Sequence, residues 1–139
     1  MLVSLSISRN KKTISIFLGA IIISELITYI AKFLIGRVRP TGMLVAETGY
    51  SFPSNHAVIS VVFYGLAAFL FVHMVHKKWQ KILISIAAII IIFLIGLSRI
   101  ILGVHYGSDV LGGWLLGGVI LSCALVVYYR YVKHYKIKI

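Results

Sequence analysis

Two histidines, His56 and His105, one aspartate, Asp109, and four cations, Lys32, Arg37, Arg39 and Arg99, are the side chains of this 139-residue chain whose types and spacing could do chemistry. His105 and Asp109 are four residues apart and share a face if a helix begins near His105. A carboxylate beside an imidazole fixes its tautomer. It also stabilises the imidazolium character that develops when the other ring nitrogen attacks an electrophile such as phosphorus. His105 is therefore the expected nucleophile and Asp109 its partner. His56 can protonate a departing alkoxide and then deprotonate the attacking water. Lys32, Arg39 and Arg99 would neutralise the equatorial oxygens of a phosphoryl group, an arginine with two parallel hydrogen bonds. The segment Ser51-Phe52-Pro53-Ser54-Asn55-His56 leads into an apolar run, so its backbone N–H groups and the Ser54 hydroxyl would lie at a helix N-terminus, where an oxyanion is favoured. The chemistry implied is hydrolysis of a phosphate ester or anhydride through a phosphohistidine. A metal or other cofactor is not expected, because Asp109 and Glu47 are the only acids on that side of the chain and a two-metal site needs several carboxylates.

These groups need elements that bring them together. The chain is 60% hydrophobic and 12% charged, with a mean hydropathy of +1.03, which excludes a water-soluble globular domain. Crossing a bilayer takes roughly 20 mainly apolar residues, since a helix rises about 1.5 Å per residue through about 30 Å of hydrocarbon. Segments 13–34, 57–75, 82–102 and 110–129 meet that length. Their apolar runs are continuous, whereas a barrel strand alternates, so the expected fold is all-α: a polytopic transmembrane bundle of about four spanning helices in a single domain. The lone cysteine, Cys123, lies inside an apolar run and permits no intrachain disulfide.

The excess of 14 Lys and Arg over 3 Asp and Glu, a formal charge of +11, calls for a membrane or a polyanion. A nucleic-acid surface would interleave its cations with aromatics on one polar face; here long apolar runs separate short basic clusters, and nucleic acid is excluded as a partner. Arg9, Lys11 and Lys12 precede span one, Lys77, Lys78 and Lys81 follow span two, and Arg130, Lys133, Lys136 and Lys138 follow span four. The positive-inside rule puts that side, with both termini, in the cytoplasm of a cell-membrane protein. Trp79, Tyr128, Tyr129 and Tyr131 flank those ends as interfacial aromatics do. The cations that break the rule are Lys32, Arg37, Arg39 and Arg99, and with His56, His105 and Asp109 they fall at outward helix ends or in the outward loop. Singly, each cation could snorkel to headgroups and each histidine could sit inertly at the interface. As a spaced set at one depth they point to a functional site on the outer face. Glu25, inside span one and seven residues before Lys32, is expected to face the bundle and pair with a polar neighbour. Gly113 and Gly117 form a small-xxx-small pair suited first to packing within the chain, with a homo-oligomer as the alternative use.

At these residues the sequence resembles the type 2 phosphatidic acid phosphatase superfamily of membrane lipid phosphatases, related to vanadium haloperoxidases. The pattern Lys-x6-Arg-Pro is met by Lys32 and Arg39-Pro40, Pro-Ser-Gly-His by Pro53-Ser54-Asn55-His56, and Ser-Arg-x5-His-x3-Asp by Ser98-Arg99, His105 and Asp109. The resemblance implies His105 as nucleophile, Asp109 as its partner, His56 as acid, phosphate held by Lys32, Arg39, Ser54, Asn55 and Arg99, and activity without divalent metal. Two departures stand out. Asn55 replaces a glycine that lets backbone approach the phosphate, and bears on rate and substrate fit. Such family members usually have six spans, so this chain looks like the last four.

The expected substrate is a membrane lipid phosphate or diphosphate, its headgroup at the site and its tail between helices. Undecaprenyl diphosphate, phosphatidylglycerol phosphate and phosphatidic acid are the candidates that the resemblance implies, with a lean toward the first. The alternative, motivated by Asn55 and the missing spans, is a catalytically silent lipid-phosphate binding or assembly protein. A channel would need a polar stripe along the spans, where only Glu25 is ionisable at depth.

Overall fold

In a computed structural model the described residues are 2–133, with side chains described from 11 to 132. Lys136 and Lys138 lie outside them. Four helices account for nearly all of this length: α1 (Leu2–Ile35), α2 (Asn55–Met74), α3 (Lys78–Ile101) and α4 (Gly107–Tyr128), the last continued by a π turn at Tyr129–Lys133. Each contains a stretch long and apolar enough to cross a membrane. No strand is present among the described residues, and the fold is all-α. The boundaries match the apolar runs to within a few residues, except that α1 begins well before residue 13.

The helices stop where the chemistry of the chain stops them. Gly36, at φ +62°, ends α1 in the left-handed conformation, with its N–H on the Lys32 carbonyl at 2.9 Å. Gly103 does the same for α3 at φ +68°, and the Gly42 carbonyl lies 3.4 Å from where a Cβ would be. Helix α4 starts at Gly107 rather than at His105. The Asp109 carboxylate accepts the Tyr106 N–H at 2.9 Å, and this N-terminal cap leaves His105 in the preceding turn.

Helices α2 and α4 lie side by side, with α1 across one flank and α3 against α2 on the other; α1 and α3 do not touch among the described residues. The core is small: Ala20 of α1, Val58, Val62 and Leu66 of α2, and Ile120 and Ala124 of α4, with Phe17, Leu116 and Leu121 packed round it. Large apolar side chains such as Ile22, Leu26, Phe33, Ile89 and Leu115 face outward, an arrangement that lipid tails accept and water does not. With little driving force for burial in lipid, close backbone approach holds the helices. A Cβ on Gly113 would lie 2.7 Å from the Ala57 Cβ and 2.8 Å from the Ser54 carbonyl, and one on Gly117 would lie 2.8 Å from the Val58 carbonyl. The small-xxx-small pair is thus occupied within the chain, on α2.

Gly117→Leu should therefore destabilise the bundle by about 1–3 kcal/mol or more through overpacking, read as a lower midpoint of thermal unfolding in detergent. Gly118→Leu should leave that midpoint in place, because nothing lies within 4 Å of its Cβ direction.

Candidate active site

The 19 residues between α1 and α2 are irregular and are tied down at three points. Ser51 N–H donates to the Arg37 carbonyl at 2.8 Å, Leu44 N–H to the Leu102 carbonyl at 3.0 Å, and Ser54 N–H to the Asp109 carbonyl at 3.0 Å. The first point closes the loop on itself, and the other two fasten it to the end of α3 and to the first turn of α4. Lys32, Arg39, Asn55, His56 and His105 consequently line one cavity of about 460 Å³, together with Ala46, Glu47 and Thr48.

His105 is 3% exposed and Asp109 is fully buried. Nδ1 of His105 lies 3.4 Å from Oδ2 of Asp109, long for a hydrogen bond but within what catalytic pairs show before substrate binds. The other ring nitrogen, Nε2, is 3.4 Å from Nη1 of Arg39. A guanidinium has donors only, so Nε2 presents its lone pair to it and the ring proton belongs on Nδ1, facing Asp109. Burial, then the Arg39 and Lys32 charges, push the His105 pKa below the ordinary 6.5, against the opposing pull of Asp109. The lowered pKa favours the uncharged imidazole, with its free nitrogen toward the cations.

Asp109 is held by more than His105. Arg37 Nη1 donates to its Oδ1 at 2.8 Å and also to Ser108 Oγ at 2.7 Å, while the guanidinium carbon stands 4.3 Å over the Tyr106 ring. In sequence Arg37 is one of the outward cations, with nothing to mark it as the partner of Asp109. Its only signal there was a second arginine two residues before Arg39.

Arg39 is anchored along its length. Nε donates to the Gly49 carbonyl, Nη2 to the Thr48 carbonyl and Nη1 to the Val104 carbonyl, at 3.1, 3.2 and 2.9 Å. Lys32 Nζ donates to the Tyr50 carbonyl. Arg99 Nε donates to Ser98 Oγ at 3.2 Å. Glu47 lies between the two arginines, 2.8 Å from Arg39 Nη1 and 3.9 Å from Arg99 Nη1. The carboxylate stands where cations converge, as a bound oxyanion would. Of the remaining expected residues, Asn55 lines the cavity with His56, whereas Ser54 is fully buried behind it and its hydroxyl has no partner. Glu25 does pair with a polar neighbour: both its oxygens accept from Asn55 Nδ2, at 3.2 and 3.1 Å. Among the described residues no three His, Cys, Asp or Glu side chains gather as they would round a metal.

Residues 13–134 match the PAP2 superfamily. The chain is 40% identical over 95 residues to phosphatidylglycerophosphatase B of Bacillus subtilis, covering 67% of this chain and 47% of that protein. To undecaprenyl-diphosphatase of Sulfolobus acidocaldarius it is 38% identical over 104 residues, 73% and 46% of the two chains. Human dolichyldiphosphatase 1 is 31% identical over 123 residues, 80% and 50%. The chain thus spans about half the length of these curated relatives. The crystal structure of a transmembrane PAP2-type phosphatidylglycerolphosphate phosphatase from Bacillus subtilis superposes with a TM-score of 0.76 at 33% identity, over 83% of this chain and 58% of that one.

An anion entering between Arg39 and Arg99 would have to displace Glu47, so Glu47→Gln should tighten binding of inorganic phosphate by about tenfold, or about 1.4 kcal/mol, measured by isothermal titration of the purified protein. Arg39→Gln should weaken the same binding.

Proposed function

The chain belongs to the PAP2 superfamily, and from that premise we propose that it is a metal-independent phosphatase of a membrane lipid phosphate or diphosphate. The observation that carries this reading is the placement of His105, with Nδ1 toward Asp109 and Nε2 toward Arg39 in a cavity that Lys32 and His56 also line. The relatives that are named for phosphatidylglycerophosphate, undecaprenyl diphosphate and dolichyl diphosphate support the substrate class.

In the first step His105 Nε2 attacks phosphorus, a P–N bond forms, and the P–O bond to the lipid breaks. His56 gives its proton to the departing oxygen, while Lys32, Arg39 and Arg99 stabilise the charge on the three equatorial oxygens. The Nδ1 proton stays on the ring, and Asp109 stabilises the resulting cationic phosphoimidazole, with Arg37 fixing the carboxylate. In the second step water attacks phosphorus and gives a proton to His56. The P–N bond breaks, His105 recovers its lone pair, and inorganic phosphate leaves. Glu47 holds the arginines together between turnovers and yields them to the phosphate. Ser54, the N-cap of α2, ties that helix head to the Asp109 carbonyl through its N–H, and Asn55 borders the phosphate. The tail would lie along the cleft between α1 and α3, which do not meet. The charge distribution of the connections supports cytoplasmic termini and a site on the outer face.

Purified protein in detergent should release inorganic phosphate from phosphatidic acid or undecaprenyl diphosphate with EDTA present, and His105→Ala should lower kcat by about 10³-fold or more. Phosphate binding by wild-type protein without release from either lipid would favour the silent binding protein instead. The nucleophile is active as the free base and its pKa is depressed. The acid limb of kcat/KM should therefore lie below pH 6.5, with activity lost as pH falls through the folded-state value. Lys32→Met removes a lowering charge and should move that limb upward.

A further inference from the structure

A second cavity, of about 370 Å³, adjoins the phosphate cavity. It lies in the cleft between α1 and α3 with α2 as its floor: Glu25 comes from α1, Ile59 and Phe63 from α2, and Ile95 from α3. Asn55 and His56 line both cavities and so mark where they join. On the phosphatase reading above, on which this inference rests, His56 protonates the leaving oxygen. The first atoms of the leaving group then lie on the side of this second cavity.

Its polar lining is Glu25, Asn55, His56, Ser60 and Tyr64, and Glu25 is the one acid among them. Both oxygens of Glu25 accept from the single amide nitrogen of Asn55, so the carboxylate is the acceptor of this pair and is held at the cavity wall. With Nδ2 committed to Glu25, the other end of the Asn55 amide is the acceptor Oδ1, which is buried and has no partner. An alcohol can donate to the Glu25 carboxylate. A phosphate oxygen meets it as acceptor against acceptor and charge against like charge.

We propose that Glu25, held in place by Asn55, is a specificity-determining residue that favours phosphomonoesters with an uncharged alcohol as leaving group over diphosphates. With a monoester, the alcohol departs carrying the His56 proton and leaves no charge in the second cavity. With a diphosphate, the bond to the bridging oxygen breaks and the departing group is itself a phosphate, which brings its negative charge beside Glu25.

Farnesyl phosphate and farnesyl diphosphate share a tail and differ in the leaving group, so the ratio of their kcat/KM values isolates this effect from folding yield. Glu25→Gln keeps the shape, removes the charge, and should lower the monophosphate-to-diphosphate ratio by about tenfold. Glu25→Ala removes the carboxylate altogether and should shift the ratio the same way. A ratio unchanged in both variants, with wild-type protein turning over both substrates, would overturn the inference and leave the phosphatase reading standing. Absence of phosphate release by wild-type protein from either substrate, with phosphate binding intact, would sink the phosphatase reading and this inference with it.

Discussion

A carboxylate withdrawn completely from solvent must be compensated by fixed partners, and Asp109 draws its partners from most of the molecule. Arg37, just past the end of α1, supplies the charge. The Tyr106 N–H supplies a hydrogen bond that also starts α4. His105 offers Nδ1, and the Asp109 carbonyl takes the Ser54 N–H at the head of α2. One residue thereby links the C-terminal end of α1, the head of α2, the turn after α3 and the first turn of α4. Removing any of these partners would leave a buried charge or a buried donor unsatisfied, which costs more than the hydrogen bond itself is worth. The same set fixes which nitrogen of His105 is free, so what holds these helix ends together also orients that imidazole.

Much of this was legible in the chain, and for different reasons at different levels. The four spans could be read because hydrocarbon obliges every backbone group to be satisfied within its own helix, and continuous apolar runs of the right length have no other solution. The meeting of Lys32, Arg39, His56, His105 and Asp109 followed from their common depth. Side-chain partners were harder to read. Arg37 and Arg39 are two residues apart in an irregular loop, and only the path of residues 36–54 decides that Arg37 reaches Asp109 while Arg39 reaches His105. Glu47 is eight residues from Arg39 along an irregular loop and fifty-two from Arg99, so its place between the two has no local signature. The expectation that His105 shares a helical face with Asp109 gave the right neighbours by the wrong route, since the cap at Tyr106 makes the pairing across a turn.

Asn55 and Glu25 show how a local departure can be absorbed at a distance. An asparagine at the first position of α2 puts an amide beside the site, and a carboxylate one helix away takes up its donor end. Thirty positions separate the two residues in sequence, and neither is informative without the other. A polar residue inside a span is costly unless it has a partner, and here each is the other's.

The distribution of side-chain size, with alanine, glycine and valine inside and isoleucine, leucine and phenylalanine outside, bears on how the bundle responds to temperature. Domains in water bury their large apolar groups on folding, and the hydration of those groups on unfolding gives a large heat-capacity change and a domed stability curve. Here those groups already face lipid, and separating the helices within a bilayer would leave most of them in lipid still. The heat-capacity increment of that separation is small, so the stability of the bundle varies almost linearly with temperature and lacks the cold-side loss that water imposes on soluble domains.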